Sequence, residues 1–218
     1  MARSWILYGV RSSYVYDAAA SIRRAGDRIG AFVDNMPGPG APGDLEPLLT
    51  PEAIDAGLRG MAVLVPLMTP GHRKTIAAEL AAAGLSELPP FADPSAVLAD
   101  DLEMAQGCQI NAGVVVAAKC RLERFVLINR SASIGHHAVM EAFVSIGPGA
   151  VICGSCRIGP GAFIGAGSVI APEISIGANA TVAAGAVVIR DVPEFGFVAG
   201  NPAEVKQIRS TGYNKASV

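Results

Sequence analysis

The sequence predicts two architectures in tandem: an α/β, Rossmann-like domain over residues 1–90, then an all-β parallel β-helix with a short C-terminal helix over residues 91–218. Three observations predict it. An aliphatic residue recurs every six positions from Leu98 to Val188 without interruption. Four positions after the aliphatic, the residue is mostly small or β-branched, as at Cys108, Val114, Cys120, Ala132, Ala150 and Ala162. Before the period begins, short apolar runs alternate with helix starts, the pattern of a small parallel sheet covered by helices.

In the N-terminal region, Trp5-Ile6-Leu7-Tyr8 reads as a buried strand, and Gly9 opens the turn into a helix reaching about Ala25. Arg28 to Val33 is a second strand, ending at Asp34, and a Pro- and Gly-rich loop follows from Pro37 to Gly43. Thr50-Pro51 and Thr69-Pro70 each pair a capping residue with proline at the first helical position. Between them, Met61 to Leu67 supplies a third strand.

The repeat itself has a geometric meaning. No α-helix or ordinary strand has a period of six. One large and one small inward position in every six residues describe a short flat strand and a tight corner, where Gly135, Gly147, Gly159 and Gly165 supply backbone freedom. Three such edges close a triangular coil of 18 residues, and coils stack as parallel strands about 4.8 Å apart. Residues 98 to 192 make a little over five coils.

Composition narrows the class. Charged residues are 17% and apolar ones 51%, which excludes a disordered chain. A net charge of −2 gives no basic footprint for nucleic acid. Mean hydropathy is high at +0.41, yet the most apolar stretch, Ile146 to Pro172, holds seven glycines and three prolines, too many breakers for a spanning helix. The N-terminal apolar run is too short for a signal peptide, so a soluble, cytoplasmic protein without membrane contact is expected. Cys153 and Cys156 form a C-x-x-C, but no second pair or nearby His completes a metal site; Cys108, Cys120 and Cys156 fall on the small inward phase and read as packing residues.

The repeat, together with particular motifs, carries a resemblance. Ala92-Asp93-Pro94-Ser95-Ala96, Leu127-Ile128-Asn129, Ile134-Gly135-His136-His137, Phe143 to Ala150 and Val198-Ala199-Gly200-Asn201-Pro202-Ala203 resemble the hexapeptide-repeat acyltransferases, whose β-helix is left-handed. The branch most similar acetylates amino sugars on nucleotide carriers, or sialic acid. The hand follows from the resemblance alone, since ordinary crossovers are right-handed.

That resemblance implies an acetyl-CoA-dependent sugar acetyltransferase in glycan or surface-polysaccharide biosynthesis, without a metal, working as a homotrimer. Its acceptor would be an amino sugar such as a nucleotide-linked 4-amino-4,6-dideoxyhexose. His136 matches the general base, Asn129 an active-site asparagine, and Gly154, one coil above His136, the amide that meets the oxyanion. His137 stands where an acidic residue usually orients the base, and Glu141 and Glu173 are candidates to replace it. Ser145 stands where a second histidine often meets CoA. The implied cofactor set is Ser145, Gly147, Gly154, Gly165, Gly200, Pro202 and Lys206, with Arg190 and Arg209 near the phosphates. The N-terminal domain would hold the nucleotide sugar through Gly9, Arg11, Ser12 and Asp34. Its first turn lacks the usual glycines, and Tyr14 there would either block a phosphate or stack on the ligand.

Other readings stay open at this point. Acyl transfer to oxygen on a free sugar or sialic acid is favoured by the glycine-poor turn. A catalytically impaired binding or scaffold protein would follow from the His-His pair. A zinc carbonic anhydrase on the same helix needs three convergent imidazoles, for which adjacent His136 and His137 have the wrong spacing and His72 the wrong place.

Overall fold

The computed structural model describes residues 2–218. The N-terminal sheet consists of β1 (Ser4–Tyr8), β2 (Arg28–Val33), β3 (Leu48–Leu49) and β4 (Ala62–Leu64), all parallel, in the order β3-β2-β1-β4. Between β1 and β2 runs α1 (Tyr14–Arg24), which buries Val15, Ala18, Ala19 and Ile22 against the sheet. A four-residue α2 (Ala56–Arg59) precedes β4, and α3 (Pro70–Ala82) follows it.

Local chemistry explains the departures from the sequence reading. β4 stops at Leu64, short of Leu67, because Pro66 has no N–H for a ladder. Neither Thr50 nor Thr69 caps a helix through its hydroxyl. Thr50-Pro51 opens only a 3-10 turn, Pro51–Ala53, and the cap nearby is Asp55, which accepts from Leu58 N at 2.9 Å. The Thr69 hydroxyl instead accepts from Asn214, at the far end of the chain.

From Phe91 onward the chain winds a parallel β-helix of two-residue strands on three faces. The first face starts at Phe91–Ala92 and repeats at Gln109, Leu127, Ser145, Phe163 and Thr181; the second repeats from Val97–Leu98 to Val187–Val188; the third repeats from Glu103–Met104 to Ser175–Ile176. Partners lie 18 residues apart, as in Leu127↔Ser145, Ser133↔Val151 and Val139↔Arg157. The core is the aliphatic column predicted from the period: Ile110, Ile128, Ile146 and Ile164 stack on one face, Ile134, Ile152 and Ile170 on the next. Each such side chain contributes about 1.5–3 kcal/mol by leaving water. Cys108, Cys120 and Cys156 sit inside the coil, and Cys153 lies half-exposed at a corner.

The last coil is shorter. Thr181 pairs Phe197 and Ile176 pairs Val192, offsets of 16 rather than 18. An antiparallel hairpin follows, Gly196–Gly200 with Ala203–Ile208, turning at Asn201-Pro202. In place of the expected short C-terminal helix there is a single tight turn, Tyr213–Lys215, which is not helical because Asn214 and Lys215 have left-handed φ.

The N-terminal domain lies against the first face, and polar side chains fasten it there. Arg73 of α3 is fully buried and donates to the carbonyls of Leu67, Met68, Phe125, Phe143 and Val144 and to Ser145 Oγ. Burial pushes its pKa down, to about 9, so the guanidinium is still charged at neutral pH. Arg24 of α1 grips buried Asp93 at 2.7 Å, and Gln109 donates to Val65 O at 2.7 Å.

Candidate active site

Two separate places gather the chemistry: a corner of the β-helix bearing the histidines, and a cavity in the N-terminal domain. At the corner after Ile134, His136 and His137 are both exposed, and their Nδ1 atoms lie 3.0 Å apart. His137 takes a left-handed backbone (φ 59°), shared by Lys119, Ser155 and Glu173 in the same column of corners. The contact constrains tautomers. If His136 Nδ1–H donates to His137 Nδ1, then His136 Nε2 keeps its lone pair and can accept a proton.

Gly154 lies directly over His136. A Cβ built on Gly154 would fall 2.6 Å from His136 Cε1 and 2.7 Å from Nε2. Any side chain there would displace the ring, so glycine is what lets the imidazole lie across the next coil. The Gly154 N–H donates to no backbone acceptor among the described residues, and is therefore available to a ligand. No carboxylate pairs with either imidazole among the described residues: Glu141 is paired with Arg157, and Glu173 forms neither a hydrogen bond nor an ion pair with His137.

Other predicted residues are placed elsewhere. Asn129 occupies a different corner from His136, one edge away, and faces the N-terminal domain. Its amide oxygen accepts from Asn111 Nδ2 at 2.9 Å and Arg130 N at 2.8 Å, and its nitrogen meets Met68 Sδ. Within one chain, then, Asn129 and His136 do not converge. Ser145 presents no atom to a cofactor: it is fully buried, donating to Met68 O and accepting from Arg73. A short hydroxyl at that position makes room for the arginine.

Gly147 and Gly165 form a stacked corner column, where a Cβ on Gly147 would strike Ala166 N at 2.6 Å and one on Gly165 would strike Ala184 N at 2.4 Å. Their first requirement is thus coil stacking. Gly200 and Pro202 form the hairpin tip, about four coil spacings, ~19 Å, above the level of the histidines. The Lys206 ammonium is 2.9 Å from Glu204, and Arg209 lies over the Phe197 ring.

The cavity, about 610 Å³, is bordered by Gly9, Arg11 and Ser12, three of the residues expected to hold the nucleotide sugar, with Asn35, Met68, Thr69, His72 and Glu79. Asp34 is not on its wall but holds Arg11, whose Nε donates to both carboxylate oxygens at 2.9 and 3.0 Å. Arg11 Nη2 is spent on the carbonyls of Met36, Pro37 and Gly38, so the side chain braces that loop and has only Nη1 left for a ligand. Tyr14 neither blocks the cavity nor lines it. It is buried against the β-helix and donates to Asn111 Oδ1 at 2.7 Å, with burial raising its pKa. The sequence reading missed His72, Glu79, Tyr213 and Asn214. His72 and Glu79 lie on the face of α3 seven residues apart, a spacing that marks one side of a helix; nothing in the sequence brings the last two to this wall.

Among the described residues no helix is long and apolar enough to cross a membrane, and no group of three or more His, Cys, Asp or Glu could hold a metal ion. The family model for bacterial transferase hexapeptide repeats matches residues 155–190. Three solved structures are similar over nearly their whole length. The first is perosamine N-acetyltransferase from Caulobacter crescentus, a histidine variant in complex with CoA and GDP-perosamine: 25% identity, 95% of this chain and 98% of that one, TM-score 0.82. The second is the acetyltransferase domain of PglB from Neisseria gonorrhoeae in complex with acetyl coenzyme A: 27% identity, 94% and 100% coverage, TM-score 0.83. The third, WeeI from Acinetobacter baumannii, shares the fold at 23% identity over 94% and 100% of the two chains, with a TM-score of 0.75. No curated protein matches by sequence. Repeat, fold and neighbours together show a hexapeptide-repeat β-helix similar to that of CoA-dependent sugar acetyltransferases.

Proposed function

We propose that this chain transfers the acetyl group of acetyl-CoA to the amine of a nucleotide-linked amino sugar, of the 4-amino-4,6-dideoxyhexose class, in glycan biosynthesis. The observation that carries it is the stacking of His136 on Gly154: a proton acceptor and an unpaired N–H held side by side on a rigid coil. The likeness to enzymes bound to CoA and GDP-perosamine supports the choice of donor and acceptor.

The sugar amine attacks the thioester carbonyl carbon, and His136 Nε2 takes the proton that the nitrogen sheds. The Gly154 N–H donates to the oxygen as it gains charge, where one such donor is worth about 10²–10³-fold in rate. As the C–S bond breaks, the imidazolium returns the proton to the departing sulfur. Proton transfer of this kind contributes roughly 10²–10⁴-fold. His137 holds His136 in the tautomer with a free Nε2, without adding negative charge.

A homotrimer completes the proposal. The outward column of the second face, Val97, Val115, Ser133, Val151, Val169 and Val187, is nearly all valine, with Val97, Val115 and Val151 exposed. The third face instead presents Glu103, Arg121 and Arg157 to solvent. Packing second faces together buries the valines and sets a neighbour beside the His136 corner. The test is mass-spectrometric detection of labelled acetyl transfer to UDP-, GDP- and dTDP-linked 4-amino sugars and to free amino and hydroxy sugars, with His136→Asn in parallel. A product that disappears in the variant supports the proposal. A folded oligomer that acetylates none of them, or only free hydroxy sugars, refutes it.

A further inference from the structure

The cavity wall includes two residues from the far end of the chain, Tyr213 and Asn214. They arrive on a strap, residues 212–218, that leaves the top of the β-helix and runs back across the first face to α3. The strap is fastened at several points. The Tyr213 ring stacks on Phe163 with centroids 3.6 Å apart and planes 2° apart. Asn179 Oδ1 accepts from Val218 N at 2.8 Å, and Ala216 packs so close to Gly71 that a Cβ there would lie 2.6 Å from its carbonyl carbon. Asn214 Nδ2 donates to Thr69 Oγ1 at 3.0 Å, taking the hydroxyl that would otherwise cap α3.

Two consecutive residues of the strap, Asn214 (φ 54°) and Lys215 (φ 60°), hold left-handed backbone. This is costly for lysine, and such strain persists only where surrounding contacts enforce it. What it delivers to the cavity is a half-buried phenol whose hydroxyl has no protein partner among the described residues, and a carboxamide with its oxygen and one N–H still unused. These are neutral donors and acceptors beside an aromatic ring, a set suited to sugar hydroxyls. The Arg11 guanidinium and the opening turn of α1 lie on the wall built from β1 and β2, where an anion fits better. The strap wall is also the one that abuts the β-helix, through Phe163.

We propose that Tyr213 and Asn214 hold the sugar ring of the acceptor and determine which sugar is acetylated. This rests on the reading of the cavity as the nucleotide-sugar site. The experiment compares Tyr213→Phe, which keeps the stack on Phe163, and Asn214→Ala with Ser12→Trp, which fills the opposite wall. Steady-state constants are measured with the UDP-, GDP- and dTDP-linked 4-amino sugars, and calorimetry is run with UDP, GDP and dTDP alone. Each strap variant is expected to raise the acceptor KM about 5- to 10-fold, the loss of one hydrogen bond to a neutral partner. The KM for acetyl-CoA and the affinity for the free nucleotide should stay within twofold. If both strap variants keep the parent acceptor KM while Ser12→Trp raises it, the cavity reading stands and the strap proposal is overturned. If Ser12→Trp also has no effect, both fall. A strap variant that lowers Tm and raises both KM values together shows a structural role only, and overturns the proposal as well.

Discussion

Adding one methyl group to Gly154 separates the catalytic reading of the corner from a merely structural one. The backbone tolerates it, because Gly154 is not among the residues with left-handed φ. The obstacle is the His136 ring, 2.6 Å from the new Cβ, which must retreat by about 0.8 Å to reach ordinary contact at 3.4 Å. The ring is exposed and can swing outward, so the fold survives. A misplacement of about 1 Å at a reacting group is enough for roughly a 10²-fold loss of rate. Gly135→Ala is the matched control. Its Cβ would fall 2.5 Å from Gly154 N and 2.6 Å from Cys153 C, backbone atoms of the next coil that have nowhere to go. That strain destabilises by about 1–3 kcal/mol. Turnover and thermal unfolding of both variants are the assay: Gly154→Ala should keep its Tm and lose about 10²-fold in kcat, and Gly135→Ala should lose Tm first. A Gly154→Ala enzyme with kcat within threefold of the parent would refute the reasoning.

Three further outcomes follow from other sites. His137→Glu places a carboxylate beside His136, which favours the imidazolium, so the acid limb of the kcat/KM profile should move to higher pH; an unmoved limb contradicts the orienting role of position 137. Asp93 is desolvated, yet hydrogen bonds from Arg24, Ser21 and Ser95 outweigh that penalty and hold its carboxyl well below the usual range. With the folded pKa depressed, its stabilisation is complete above the unfolded value of about 3.9 and fades as pH falls below it. Asp93→Ala should therefore cost about 2 kcal/mol at pH 7, in urea unfolding, and progressively less below pH 4. Burial raises the Cys108 thiol to about 11, and Cys120 and Cys156 are raised for the same reason. A thiol reagent on native protein should label Cys153 alone; modification of Cys156 would contradict its interior place.

Much of the β-helix was legible because a coil is a local object. Inward and outward positions alternate within six residues, and an 18-residue closure then fixes every strand partner without knowledge of distant segments. The stacking of Gly154 over His136 follows from the same closure. The period failed only where the last coil shortens, after Val188, since a four-residue step to Val192 leaves no repeat to read. The N-terminal elements were legible in kind, and their ends were not, because Pro66 and Asp55 decided them locally.

The residues whose roles changed are those whose partners lie far along the chain. Ser145 and Arg73 are 72 positions apart and Tyr14 and Asn111 97, and a pattern with a period of six carries no information about either pair. Asn214 and Thr69 are separated by 145 positions. The sequence by itself determined the coil, its core and the corner that carries His136, because hydrophobic phase sets those within one turn. Only the tertiary structure decided which face the N-terminal domain covers, that Ser145 is consumed in fastening it, and that the C-terminal strap closes the cavity wall. Those outcomes depend on which polar groups must find partners when two surfaces lose water together, and that is settled by the fit of whole faces.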